Sequence, residues 1–188
     1  LHYPLRRQRQ MCIRDRAKHY QLPALLHIRR AHGDVIKMLK AQKFTQRGIA
    51  HSFSGGIQEA KALVNLGFKI GITGQVTNPN AKKLRHTLTE LVKTVGLEAI
   101  VIETDCPDFT PLPCHGTHGR RNVPANLPYV LTALSDLLKK DQSRLAKQLW
   151  QNSCAALQVT WDYPIANKLN INPCLLYTSD AADEEDSV

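Results

Sequence analysis

Four short, nearly unbroken apolar runs, each followed by a stretch of helical periodicity, limit what this chain can fold into. The runs are Leu22-Pro-Ala-Leu-Leu-His27, Gly48-Ile-Ala-His-Ser-Phe53, Phe68-Lys-Ile-Gly-Ile-Thr73 and Ala99-Ile-Val-Ile-Glu-Thr104. Each is too short for a globular helix and reads as a strand. Between them, residues 31–43, 58–66 and 80–95 carry apolar side chains at helical spacing, and Gly67 and Gly96 stand where helices stop. The strand–helix unit recurs about every 20 to 30 residues, the pattern of a parallel sheet with crossover helices. Strands this apolar are expected to be covered on both faces.

Beyond the fourth run, residues 106–128 hold Pro107, Pro111, Pro113, Gly116, Gly119, Pro124 and Pro128, which predicts a long irregular loop. Residues 128–139 and 142–157 read as two closing helices. The chain has 188 residues, enough for one domain, whereas a complete (β/α)8 barrel takes about 250.

Polar residues that carry chemistry sit at the ends of the apolar runs. His27 closes the first, His51 lies near the end of the second, and Glu103 and Asp105 end the fourth. In a parallel β/α array the C-terminal edge of the sheet is where ligands bind. Taken singly, each histidine reads equally well as a core or surface residue, and the two acids could cap a loop. Glu103 and Asp105 are two apart, so strand alternation would aim both at one face. Two like charges closing an apolar strand are costly unless solvated or used. Together, two imidazoles and a carboxylate suit zinc, iron or manganese.

Other motifs are weaker. Ser52 and Ser54 lack the strand–turn–helix elbow of a serine nucleophile. Cys106 reads as a packed small residue, and Gly55-Gly56 as a turn able to hold a phosphate before a helix. There is no G-x-G-x-x-G and no Walker A string.

Charge and cysteine content narrow the setting. Twenty-five basic against 16 acidic residues leave a formal net charge of +9, which favours anionic partners such as nucleic acid or phosphorylated substrates without requiring them. Aromatic residues make up only 6% of the chain, too few for a single-strand binding module built on base stacking. Five widely spaced cysteines without a CxxC pair argue for a reducing compartment, and the cytoplasm is the expected location. No apolar run is long enough for a membrane span. The ends look foreign to this middle. Met11-Cys-Ile-Arg-Asp-Arg16 and the acidic tail from Cys174 to Val188 resemble translated adapter sequence. Segments 1–16 and 174–188, which include these strings, are therefore set apart from a domain at 17–173, and residues 11–16 and 174–188 are expected to stay out of the core.

The motifs Leu22-Pro-Ala-Leu-Leu-His-Ile-Arg29, His51-Ser-Phe-Ser-Gly55, Gly71-Ile-Thr-Gly74 and Ile102-Glu-Thr-Asp-Cys-Pro107 resemble those of the TatD family of metal-dependent deoxyribonucleases, amidohydrolase-like (β/α)8 barrels. Arg121-Asn-Val-Pro124 and Asn152 fit as well, so the likeness covers about residues 17 to 160. It implies a divalent-metal-dependent hydrolase that cleaves phosphodiester bonds with an activated water. DNA would be the substrate, and two ions (zinc, magnesium or manganese) would sit in the intact enzyme. His27 and His51 would bind one metal and Asp105 the other. Asp105 would also orient the attacking water, with Glu103 supporting it. Arg29 and Arg121 are candidate phosphate contacts, since a guanidinium fork matches phosphate geometry. A hydrolase of small amides or esters, or a silent nucleic-acid-binding fragment, would share these features. The family also opens with a His-x-His strand and carries a Gly-Glu-x-Gly-Leu-Asp string. Neither occurs here. The expectation is a C-terminal fragment, an incomplete barrel lacking roughly its first three strands.

Overall fold

A computed structural model describes residues 15–116 and 121–163. The strands are β1 (Ala24–His27), β2 (Gly48–His51), β3 (Phe68–Ile72) and β4 (Ile100–Ile102), in the order β1-β2-β3-β4. All pairs are parallel, with Leu26 opposite Ala50, Ala50 opposite Ile70, and Ile70 opposite Ile100. The helices are α1 (His32–Ala41), α2 (Ile57–Asn65), α3 (Lys82–Thr94), α4 (Leu127–Leu138) and α5 (Gln142–Leu157). The β/α alternation expected from the apolar runs is therefore present, consistent with part of an amidohydrolase-like barrel.

Strand alternation divides the side chains. Ala50, Ile70, Ile72 and Ile100 join the main core with Leu39, Leu63, Leu88, Leu91, Leu134 and Leu145 from the helices. These leucines recur at helical spacing, and each helix buries that one stripe. The other face of the sheet is covered only in part. Ile49 and Val101 pack with Ala156 and Leu157 from the last turn of α5. Leu25, opposite Ile49 in the register, is 66% exposed. Coverage of both faces, as expected for apolar strands, holds for β3 and β4 but not for β1.

All four strands are shorter than the apolar runs that predict them, β2 and β4 for plain local reasons. Ser52 adopts a left-handed φ of 47°, which ends β2 at His51 instead of Phe53. Ala99 belongs to a 3₁₀ turn, Leu97–Ala99, so β4 starts at Ile100 and stops before Glu103. Residues 11–14, 117–120 and 174–188 lie outside the described residues. Asp15 and Arg16, at the edge of the segment set apart, are exposed in a helical turn at residues 15–19. Among the described residues no helix is long and apolar enough to cross a membrane.

Candidate active site

The parallel register sets His27 directly opposite His51 at the C-terminal ends of β1 and β2. Register partners face the same side of a sheet, and the two imidazole centroids are 5.7 Å apart. His27 is exposed and His51 half-buried.

Glu103 and Asp105 arrive from beyond β4. The His51 imidazole lies between them, Nδ1 at 2.9 Å from Glu103 Oε2 and Nε2 at 2.9 Å from Asp105 Oδ1. The second oxygen of Glu103 accepts the Ser52 N–H at 2.5 Å. The sheet makes room for this carboxylate at Gly71, where a Cβ would collide with it. Burial works against a charge on His51, but the hydrogen bond and charge of Glu103, then those of Asp105, outweigh it and raise the pKa above the ordinary imidazole value.

The same-face expectation for Glu103 and Asp105 thus ends in convergence, though not by strand alternation. Neither residue is in a strand, and Asp105 has a left-handed φ of 53°. The turn is held by Asn122, which is 2% exposed and which the sequence reading noted only as part of a motif. Its Nδ2 donates to the Thr104 and Asp108 carbonyls, both at 2.8 Å, and its Oδ1 accepts from Val123 N and Asn126 Nδ2. An asparagine inside a proline-rich loop was the available signal, because a buried amide must find partners for both of its ends.

Other expectations fare variously. Arg29 and Arg121 are exposed, Arg29 two residues past β1 and Arg121 next to the undescribed residues 117–120. Cys106 is exposed, a correction to its reading as a packed residue; the turn at Asp105 carries it outward. The Gly55-Gly56 turn is not open to a phosphate at Gly56, since that N–H donates to Glu59 Oε2 at 2.7 Å. A cavity of about 680 Å³, which the sequence reading missed, opens beside the loop that carries Asp105, lined by Gln75, Asn78, Asp108 and Phe109 among others.

The donor types at the sheet edge match those of a borderline-soft divalent ion. Their present arrangement is a histidine–carboxylate cluster: among the described residues no group of three or more His, Cys, Asp or Glu side chains is set out to hold an ion. His51 would have to exchange a carboxylate for a metal at one nitrogen.

Comparison with known proteins identifies relatives of the chain. The family model for TatD related DNase matches residues 6–158. The chain is 35% identical over 143 residues to an uncharacterized metal-dependent hydrolase, YjjV of Escherichia coli, covering 76% of this chain and 52% of that protein. It is 32% identical over 151 residues to the 3'-5' ssDNA/RNA exonuclease TatD of Salmonella typhimurium, covering 77% and 55%. The crystal structure of E. coli YjjV superposes with a TM-score of 0.68 at 33% identity, covering 77% of this chain and 53% of that one. A TatD family hydrolase from Entamoeba histolytica shares the fold, with a TM-score of 0.64 at 21% identity. The chain spans about half the length of the curated relatives it matches. It belongs to the family of TatD-related DNases.

Proposed function

We propose that the C-terminal edge of the sheet is part of a divalent-metal-dependent phosphodiesterase centre acting on nucleic acid. His27, His51 and Asp105 would hold the metal, and Glu103 would position His51. The observation that carries this reading is the His51 imidazole, set between Glu103 and Asp105 with His27 on the same rung. A divalent ion bound there would acidify a water and polarise the phosphoryl oxygen.

The residues present have separable tasks. Glu103 fixes the ring plane of His51 through Nδ1, as carboxylates do behind ligating histidines. It is itself held by the Ser52 amide. Asp105 presents its carboxylate to the open side of the cluster, where it would accept a proton from an attacking water. Arg29 and Arg121 would draw the phosphate backbone toward this edge. The net charge of +9 and the name of the Salmonella relative favour nucleic acid as substrate. The whole enzyme would draw its remaining donors from the half of the relatives' length that this chain does not span.

The test pairs metal content with nuclease rate in an enzyme of the relatives' full length. Asp105→Asn keeps the side-chain shape but removes the charge, so turnover on single-stranded DNA should nearly vanish while the far-ultraviolet circular dichroism is unchanged. Full activity at normal metal loading would refute the assignment.

A further inference from the structure

A second polar cavity, of about 330 Å³, lies beside the proposed centre. Arg30, His32, Asp34, Ser54, Glu59 and Lys83 are in its wall. It sits between the loops that follow β1 and β2, and it receives the first turn of α1. We propose that this cavity is a phosphate seat, which takes a non-scissile phosphate of the substrate strand at the N-terminus of α1. The assignment to a substrate strand rests on the phosphodiesterase reading above; the seat itself does not.

Three observations converge on it. Ala31 is the N-cap of α1 and offers no side chain to the first-turn amides. Those amides and the helix dipole favour an anion. α2 is different, for there Glu59 already occupies the corresponding position by accepting the Gly56 N–H. Second, His32 is only 6% exposed and lines the cavity, yet its Nε2 has no hydrogen-bond partner. A buried polar nitrogen left unpaired is costly, so a small turn of the ring that let a ligand oxygen accept from it would stabilise the site. Third, two exposed cations, Arg30 and Lys83, come from separate elements, the β1–α1 loop and α3. Arg30 is held there in a left-handed conformation, φ 55°, the kind of backbone cost that collects at ligand sites.

Two carboxylates share the wall and set limits on the ligand. Glu59 is committed to the Gly56 amide. Asp34 is exposed, so water and salt screen it from a bound anion. The repulsion that remains means that removing its charge should strengthen phosphate binding slightly, whereas removing the charge of Lys83 should weaken it. A cavity that binds only through bulk positive charge would show the second effect without His32.

The experiment uses the 188-residue chain in EDTA, with histidines carbon-13 labelled and inorganic phosphate as the probe. The His32 ring resonances should move saturably with phosphate. Lys83→Met should raise the apparent Kd about tenfold, the effect of losing one charge-assisted contact. Asp34→Asn should lower it. A short oligothymidylate should compete with phosphate for the same resonances. If His32→Gln fails to fold, Lys83→Met and Asp34→Asn, both at exposed positions, keep the test intact. Phosphate binding that leaves His32 unmoved, or equal affinity in Lys83→Met, overturns the seat. Oligothymidylate binding without displacement of phosphate overturns its assignment to the substrate strand. Loss of the nuclease reading through an active Asp105→Asn enzyme would leave the phosphate titration unchanged, so the two failures are separable.

Discussion

The two edges of the sheet are built from different material, and a buried asparagine at each, Asn152 at one and Asn122 at the other, shows the difference. At the N-terminal edge, Asn152 of α5 donates to the carbonyls of Leu97 and Ile100 at 2.7 and 2.8 Å, and Gln158 donates to Gln46 O at 2.9 Å. The neighbours there are apolar: Ile49, Val101 and Ala156. At the C-terminal edge, Asn122 makes the same kind of clip, but it fastens the loop that presents Asp105 to His51. Left-handed non-glycine residues occur widely. Lys139 and Gln158 cap helices, where that conformation is ordinary. Arg30, Ser52, Asp105 and Phe109 instead follow strands at the edge that carries the imidazoles and carboxylates. Gln21, Lys43 and Arg47 take the same conformation in the loops leading into β1 and β2, so what distinguishes the C-terminal edge is that its turn at Asp105 aims a carboxylate at an imidazole, as barrel enzymes do at their C-terminal face.

The sharpest way to break this comparison is to remove both clips. Asn122→Ala and Asn152→Ala each leave two carbonyls without their amide donor, and each should cost about 1 to 3 kcal/mol in denaturant unfolding. They should part at the site. Asn122→Ala frees the loop at residues 104–109 and should disperse the His51 ring resonances and weaken metal binding. Asn152→Ala should lower the melting temperature and leave His51 as it is. Equal disturbance of His51 by both variants would show that the two edges are not independent.

A smaller effect is expected at Gly71. Its missing side chain leaves the space that the Glu103 carboxylate fills. Gly71→Ala should cost about 1 to 3 kcal/mol through overpacking. It should also release the Ser52 N–H and His51 Nδ1 from their shared acceptor. The Nδ1 proton resonance of His51 is the readout; if it persists in Gly71→Ala, the glycine is not what seats Glu103.

How much of this could be seen in the residues alone depends on the range of the interaction. The β/α alternation and the placing of His27 and His51 at strand ends follow from local periodicity, and the register confirms them as neighbours. The pairing of Glu103 and Asp105 was expected for a reason that does not operate, since both lie past the strand and Asp105 turns left-handed. Their contact with opposite nitrogens of His51 spans about 50 residues of sequence, and no local pattern encodes it. Asn122 and His32 were passed over for the same reason: their roles come from what the fold brings around them. His32 in particular has no motif in the sequence to mark it. Its ring packs nearly perpendicular to that of Phe53, with centroids 5.1 Å apart, across the next β–α loop.

The burial of His32 gives the smallest expected effect, and its sign is defined. Burial lowers the His32 pKa; Glu59 opposes the shift and Lys83 adds to it. The folded state therefore binds a proton less readily than the unfolded chain, whose imidazole titrates near 6.5. The contribution of His32 to stability is complete above about pH 6.5 and is lost as the pH falls through the lower folded value. His51 has the opposite slope, because its folded pKa is raised. A single unfolding curve against pH thus mixes the two. The difference between the chain and its His32→Gln variant removes the His51 contribution, since that residue is common to both. Urea unfolding at pH 7.5, 6.5 and 5.5 should show His32→Gln losing less stability on acidification than the unmodified chain. A difference that stays constant over this range would mean that His32 takes up its proton as readily folded as unfolded, and that the α1 side of the C-terminal edge is open to water.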